Sequence, residues 1–322
     1  MSVRFGGIAV ALVAALAANV ALAQDYPSKP VTIIVPFTAG GPTDVVARVV
    51  AAAAESRLKQ SVLIDNKPGA GSMIGATAMA NAKPDGYTLL LSTTTTYATN
   101  PHVYKKVTYD PTKFEPIAMV AKVPLGLAVR PDMPVNSIKE LEEFAAKQPR
   151  ALHQGSAGLG AHGSMACFRA AKAAGIKFEE IPYPGLGPAL ADVMGSKIDA
   201  LCDAVGTLYP HYTSGSVKVL AILDSERSPS MKDVPTFAEL GYKDAVINSW
   251  MALSGPEGTP AEVVEKVSKA IEESLRDEAV REKLSGIGFV PNYMAPKDAA
   301  AFMTEEYNIW QGVVKELGIS IE

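Results

Sequence analysis

Two glycine-bearing segments hold the residues best suited to gripping a small anion. The first is Pro36-Phe37-Thr38-Ala39-Gly40-Gly41-Pro42-Thr43-Asp44, between a short apolar run and an amphipathic one. Gly40 and Gly41 would let the backbone approach a ligand with no Cβ in the way. Pro42 suits a first helical turn. Unpaired amides and the helix dipole would then face whatever fills the loop, which suits a carboxylate or phosphate. The same residues equally describe an ordinary strand-to-helix turn capped by Thr43 or Asp44. A P-loop is excluded, because no Gly-Lys-Ser/Thr follows.

The second segment runs from Gly155 to Gly163. Its Gly158-Leu159-Gly160-Ala161-His162-Gly163 fits the dinucleotide fingerprint literally, and Glu179 and Glu180 follow about 20 residues on. One reading is an exported NAD(P)-dependent oxidoreductase. The other mirrors the first segment, with backbone N–H groups and the Ser156 hydroxyl facing the same ligand from a second lobe. Export favours the second, since nicotinamide cofactors are not expected outside the cytoplasm.

Other chemistry is sparse. Thr93, Thr94 and Thr95 belong to a hydroxyl-rich run after an apolar segment and could offer neutral hydrogen bonds, or form a solvated connection. Asp203 ends another apolar segment, where it could orient a ligand amine or hydroxyl, or cap the next helix, the safer reading. His162 near Ser156 suggests a base and nucleophile, but a histidine at a helix start is more often structural. No HExxH, no GxSxG and no metal spacing occurs, so neither catalytic residue nor metal nor cofactor is expected. Cys167 and Cys202 are the only cysteines. They read first as two buried thiols, and second as a bridge that an exported chain could keep.

The N-terminus supplies the compartment. Arg4, an apolar run from Gly6 to Ala18 and Ala21-Leu22-Ala23 match a secretory signal peptide over 1–23, cleaved after Ala23. The run is short for a membrane span, which takes about 20 apolar residues. A formal charge of −4 gives no electrostatic case for nucleic acid or an anionic membrane as partner.

These residues must be held by an alternation of strands and helices. Strands are predicted at 31–37, 61–66, 86–92, 126–130, 151–156, 177–183, 197–203, 217–223 and 247–255. Helices are predicted at 42–59, 137–147, 161–174 and 188–195, and after residue 255 only helices, at 260–275, 278–286 and 296–317. Such alternation implies α/β layers with helices over mixed or parallel sheets. Phe302, Met303, Tyr307 and Trp310 recur at helical spacing and read as core. The terminal tract is predicted to pack back on the first sheet. That makes one lobe of 24–123 plus 246–322 and a second of 124–245, with a ligand cleft between them.

Taken together the motifs resemble the substrate-binding proteins of tripartite tricarboxylate transporters, the Bug family. The resemblance rests on YPSKPVTIIVPFTAGGPTDVVAR (26–48), DNKPGAGSMIGA (65–76), KPDGYTLLLS (83–92), NPHVYKKVTYDP (100–111), IPYPGLGPALADVMGSKIDALCD (181–203), DVPTFAELGY (233–242), Trp250 before GPEGTPAEVVEKV (255–267) and the helix ending near Trp310. It implies a periplasmic, two-lobed binding protein of type II-like fold, monomeric, that closes on a small carboxylate and hands it to membrane transporter subunits. A periplasmic sensor feeding a two-component kinase is the alternative. On that pattern the ligand contacts are Phe37, Thr38, Ala39, Gly40, Gly41 and Asp44, then Thr93, Thr94 and Thr95. The second lobe would add Ser156, Ala157, Gly158, Leu159, His162 and Asp203. The loop before His162 is about two residues shorter than the family's, and Pro184-Gly185 stands where Lys-Gly is usual. The absence of paired arginines disfavours a tricarboxylate. A dicarboxylate, an aromatic carboxylate or an amino acid fits, and Leu159 and Leu186 tilt the choice toward an apolar body.

Overall fold

The computed structural model describes residues 26–157, 160–183, 185–247 and 249–321. The predicted signal peptide, Gly158, Leu159 and Pro184 lie outside them. Among the described residues eleven strands form two mixed sheets. The first has the order β11-β4-β10-β3-β1-β2. It contains β1 (Val31–Val35), β2 (Val62–Asn66), β3 (Thr88–Thr93), β4 (Glu115–Lys122), β10 (Trp250–Gly255) and β11 (Val290–Met294). The second has the order β7-β6-β8-β5-β9. It contains β5 (Leu125–Val129), β6 (Leu152–Ser156), β7 (Phe178–Pro182), β8 (Ala200–Ala204) and β9 (Lys218–Ile222).

Each sheet joins a parallel half, built from strand–helix–strand units, to an antiparallel half. β1 runs parallel to β2 and β3, whereas β10 runs antiparallel to β3 and β4. β6 runs parallel to β7 and β8, and β5 antiparallel to β8 and β9. Strands covered on both faces read as continuous apolar runs. All six residues of β10 and all five of β5 and β8 are buried accordingly.

The helices cover these faces. α1 (Pro42–Leu58) and α2 (Met73–Ala80) serve the first sheet, together with α7 (Ala261–Arg276), α8 (Glu278–Gly286) and α9 (Pro296–Leu317). α3 (Ile138–Ala146), α4 (His162–Ala173), α5 (Leu186–Met194) and α6 (Val205–Thr213) serve the second. The α4 face joins the main core, while α5 and α6 enclose a smaller cluster around Leu190, Leu201, Val205 and Leu208. Ser137 caps α3 by accepting the Glu140 amide at 3.1 Å, as its position before an amphipathic run anticipates. Met303 and Trp310 of α9 are buried in the main core and Phe302 and Tyr307 pack against it.

The chain passes between the sheets at two adjacent places. One joins β4 to β5 through Val123 and Pro124. The other returns into β10. The Val123 amide donates to the Ser249 carbonyl at 2.7 Å, so the crossings are tied to each other.

Three sequence expectations need correction. The terminal tract is not helical throughout: β11 forms the edge of the first sheet. Its residues are all half-buried, which removes the alternation that reveals a strand, and Pro291 gives up one ladder amide, tolerable at an edge. β4 and α6 were also hidden. Pro116 interrupts the reading of β4, and Gly206 with Pro210 disguises α6 as a turn. The cysteines are not two separate thiols. Cys167 of α4 is bonded to Cys202 of β8, with both residues fully buried and their Cα atoms 5.5 Å apart. α4 crosses directly over β8, a juxtaposition that linear spacing could not reveal.

The bridge closes a loop of 35 residues. Replacing both cysteines by alanine should lower unfolding free energy by about 4 kcal/mol. Equilibrium urea melts of wild type and the double variant under oxidising conditions measure it, and identical midpoints would show that the bridge adds nothing.

Candidate functional site

A cavity of about 680 Å³ opens between the two sheets. Its wall on the first side comes from the loop after β1 (Phe37, Thr38, Gly41, Pro42, Thr43) and from Thr93, Thr94 and Thr95 after β3. The wall on the second side comes from Ala157 and Gly160 to Ser164, from Gly185 to Gly187, and from Cys202 to Ala204 with Thr207. Val123, Leu125 and Ser249 to Met251 line it where the chain crosses. Helix starts from both sheets thus open onto one space.

The β1–α1 loop is shaped by Asp44. Its carboxylate accepts the Gly40 amide at 2.8 Å, Arg48 Nε at 2.9 Å and Asn66 Nδ2 at 2.9 Å. Asn66 also donates to the Phe37 carbonyl at 3.1 Å. The Arg48 bond first, then those from Gly40 and Asn66, hold this carboxyl down to about 2 against the opposing effect of burial. Asp44 therefore braces the loop from behind and is not among the lining residues. Ala39 and Gly40 are exposed on the loop, also outside the lining. α1 starts from Gly41 without a side-chain cap, and its first intrahelical bond runs from the Val45 amide to the Gly41 carbonyl. The amides of Thr43 and Asp44 precede that bond, so no turn of helix lies before them to accept.

The threonine run is not a solvated connection. Thr93 and Thr94 are buried, and Thr95–Thr99 forms a π-helical turn. Thr94 Oγ1 accepts the Trp250 amide at 2.9 Å, linking this wall to β10.

On the second side Ser156 is fully buried and stands behind the lining, its carbonyl accepting the Tyr183 amide at 2.9 Å. Gly160 has φ +74°, and a Cβ there would come within 2.5 Å of Val103 and 3.0 Å of Ile321. Close packing against the first lobe accounts for this glycine without a dinucleotide. Glu180 accepts from Ser164 Oγ at 2.9 Å, and Glu179 lies 3.5 Å from His153 Nε2. Neither acid of the fingerprint stands among the residues that line the cavity.

His162 is the first residue of α4. Its ring lies 4.6 Å from that of Trp310 on α9, and neither ring nitrogen has a hydrogen-bond partner among the described residues. Burial pushes its imidazole down to about 3, so it is neutral at ordinary pH. Asp203 is not a helix cap: α6 starts from Ala204 with no side-chain cap. One Asp203 oxygen accepts the Ala204 amide at 2.7 Å, and burial lifts the carboxyl to about 7.

Of the proposed contacts, the structure gathers Phe37, Thr38, Gly41, Thr93, Thr94, Thr95, Ala157, His162 and Asp203 around one cavity. It leaves Ala39, Gly40, Asp44 and Ser156 behind or beside it. Residues of the lining that motif reading passed over include Asn100, Tyr104 and Met251. Asn100 Nδ2 donates to the Gly71 carbonyl at 2.6 Å and so fixes a further loop at the wall. Nothing in their local sequence marks them, since their place depends on strand register and on the packing of distant loops. Among the described residues no group of His, Cys, Asp or Glu could hold a metal ion, and no helix is long and apolar enough to cross a membrane.

The two titrating groups oppose each other. His162 has a folded value below the unfolded one near 6.5, so its contribution is present above that pH and lost as pH falls toward 3. Asp203 has a raised value, so its contribution is present below about 4 and lost as pH rises toward 7. His162→Phe should therefore reduce the acid sensitivity of the fold. Between pH 8 and pH 5 the variant should lose about 2 kcal/mol less than wild type in urea melts, and parallel losses would refute a buried neutral imidazole.

Comparison with known proteins supplies the lineage. Residues 46–319 match the model of the tripartite tricarboxylate transporter family receptor. Protein BugT of Bordetella pertussis is 35% identical over 305 residues, covering 93% of each chain. The malate-bound MatC of Rhodopseudomonas palustris superposes with a TM-score of 0.78 at 32% identity, over 90% of this chain and all of that one. An adipate-bound protein of R. palustris superposes with a TM-score of 0.83 at 33% identity, over 92% of this chain and all of that one. With two mixed sheets, a cavity between them and a family match across most of its length, this chain belongs to the tripartite tricarboxylate transporter receptor family.

Proposed function

We propose that the protein is a periplasmic receptor that closes on a small organic carboxylate and delivers it to the membrane subunits of a tripartite transporter. One observation carries this reading: two helix starts from different sheets, at Gly41 to Thr43 and at Ala161 to Gly163, open onto the same cavity. Amides at such starts suit a carboxylate without any cationic side chain. The malate- and adipate-bound relatives point to the same ligand chemistry.

In this reading the signal peptide over 1–23 directs export. The lobes are 24–123 with 246–322, and 124–245, and they rotate about the paired crossings at Val123 and Ser249. Phe37, Thr38, Gly41, the Thr93 to Thr95 turn, Ala157, His162 and Asp203 face the ligand. Asp44 positions the first loop. The ligand shifts a pre-existing open–closed equilibrium by binding the closed form better. No bond is made or broken, so the protein acts as a receptor and not as an oxidoreductase.

A panel of mono-, di- and aromatic carboxylates, with NAD as control, tests this on the mature protein by thermal shift and calorimetry. At least one carboxylate should bind. Stabilisation by NAD alone would refute the receptor reading. Gly41→Val is the sharper probe. Gly41 has an ordinary φ of −76°, and an added Cβ meets the Thr38 carbonyl at 3.2 Å, which the exposed loop must ease by a few tenths of an ångström, and Thr38 Oγ1 at 3.9 Å. The fold should tolerate it with a small change in Tm, while affinity falls at least tenfold, equivalent to about 1.4 kcal/mol. Unchanged affinity would remove this loop from the binding site.

A further inference from the structure

The described residues lining the cavity include no lysine or arginine, and one side chain with a formal charge, Asp203. The contrast with Asp199, just before the same strand, is informative. Both are buried, at 4% and 8% exposure. The Asp199 carboxylate is saturated by protein: it accepts from Arg130 Nε at 3.2 Å, Arg150 at 2.9 Å and the His153 amide at 2.8 Å. The Asp203 carboxylate accepts one bond, from the amide of its own neighbour Ala204. Its second oxygen has no hydrogen-bond partner and no ion-pair partner among the described residues. That oxygen opens onto the cavity, so whatever fills the cavity completes its shell.

Asp203 does not cap α6, and it does not anchor a loop as Asp44 does. What it faces is the cavity. We infer that the ligand itself completes this shell: the carboxylate recognised here also carries a hydrogen-bond donor, an ammonium or a hydroxyl, which Asp203 accepts. The inference rests on the carboxylate-receptor reading and narrows it. The ligand's own carboxylate belongs at the helix starts, where amides are available. At pH 8, where Asp203 is ionised, a polycarboxylate without a donor would bring like charge toward it with no lysine or arginine in the described lining to offset it. An amino acid or a hydroxy acid presents opposite chemistry at its two ends and fits both.

Matched pairs test this by calorimetry on the mature protein at pH 8: malate against succinate, aspartate against succinate, and phenyllactate and phenylalanine against 3-phenylpropionate. A hydrogen bond to a charged acceptor predicts that the donor-bearing member of the pair that fits binds at least about tenfold tighter. A lead of the amino acid over the hydroxy acid, or the reverse, identifies ammonium or hydroxyl as the donor, and either result supports the inference. Asp203→Asn should shrink that preference to less than about threefold, because a carboxamide offers a single neutral acceptor. Equal affinities within every pair overturn the inference while leaving the receptor reading intact. So does a preference that survives in Asp203→Asn. Absence of binding by any carboxylate overturns the receptor reading and this inference with it. Should the variant fail to fold, the wild-type pairs decide alone.

Discussion

The insertion of β10 between β3 and β4 is the constraint from which the architecture follows. β10 arrives after the whole second sheet has been built, yet it occupies the middle of the first. It hydrogen-bonds antiparallel on both sides, with register shifts at Met251/Ala252 and Leu253/Ser254 that bend it against β4. Its six residues are all buried. Removing it would leave β3 and β4 as facing edges and expose the apolar floor beneath α7 and α9. The first sheet is therefore incomplete until the chain has returned from the second. That return forces two crossings side by side, and the Val123–Ser249 bond joins them. A cavity next to paired crossings is a direct consequence.

The electrostatics of that cavity are those of backbone more than of side chains. Helix starts supply partial positive charge without a titrating group, so their attraction for an anion does not depend on pH. The Asp44–Arg48–Asn66 cluster matters for the same reason: it keeps the first loop in shape while its own charges are balanced among themselves, 2.9 Å apart in each bond. Behind the second loop the Cys167–Cys202 bridge ties the second turn of α4 to the middle of β8, next to Asp203. Ties of this kind beside the place where the ligand is proposed to lie would reduce the ordering cost of binding.

Besides the packing of Gly160 against Val103 and Ile321, the lobes meet away from the crossings at two further places. α9 of the first meets α4 of the second through the Trp310–His162 ring contact and the Lys172–Glu316 pair at 2.5 Å. On another face Gly206 and Gly288 meet backbone to backbone. A Cβ on Gly206 would lie 2.0 Å from the Ile287 carbonyl oxygen, so neither position has room for a side chain. These are small, specific contacts. Interfaces of that kind can separate and re-form, as a receptor with an open and a closed form requires.

Much of the fold was legible in the sequence, and the reason is local. Strands buried on both faces appear as short apolar runs, such as those at Val31 and Lys218, and helices such as Ala261–Arg276 carry the periodic pattern of one covered face. The glycine-bearing helix starts were visible too, because close backbone approach demands particular residue types. Hidden elements include β4 and α2, and those whose stability comes from their neighbours: β11, half-buried with a proline, and α6, with Gly206 and Pro210 inside it. Only the tertiary structure could decide which motif residues face the ligand space. Asp44 and Asp203 look alike in sequence, each at the junction of a strand and a helix. Packing turned Asp44 toward Arg48 and Asn66, and left Asp203 facing the cavity with one amide for company. The sequence by itself supplied two glycine-bearing loops at helix starts, each suited to an anion. Their meeting across one cavity, and the carboxylate left unmatched between them, were decided by contacts between residues more than a hundred positions apart, which no local pattern encodes.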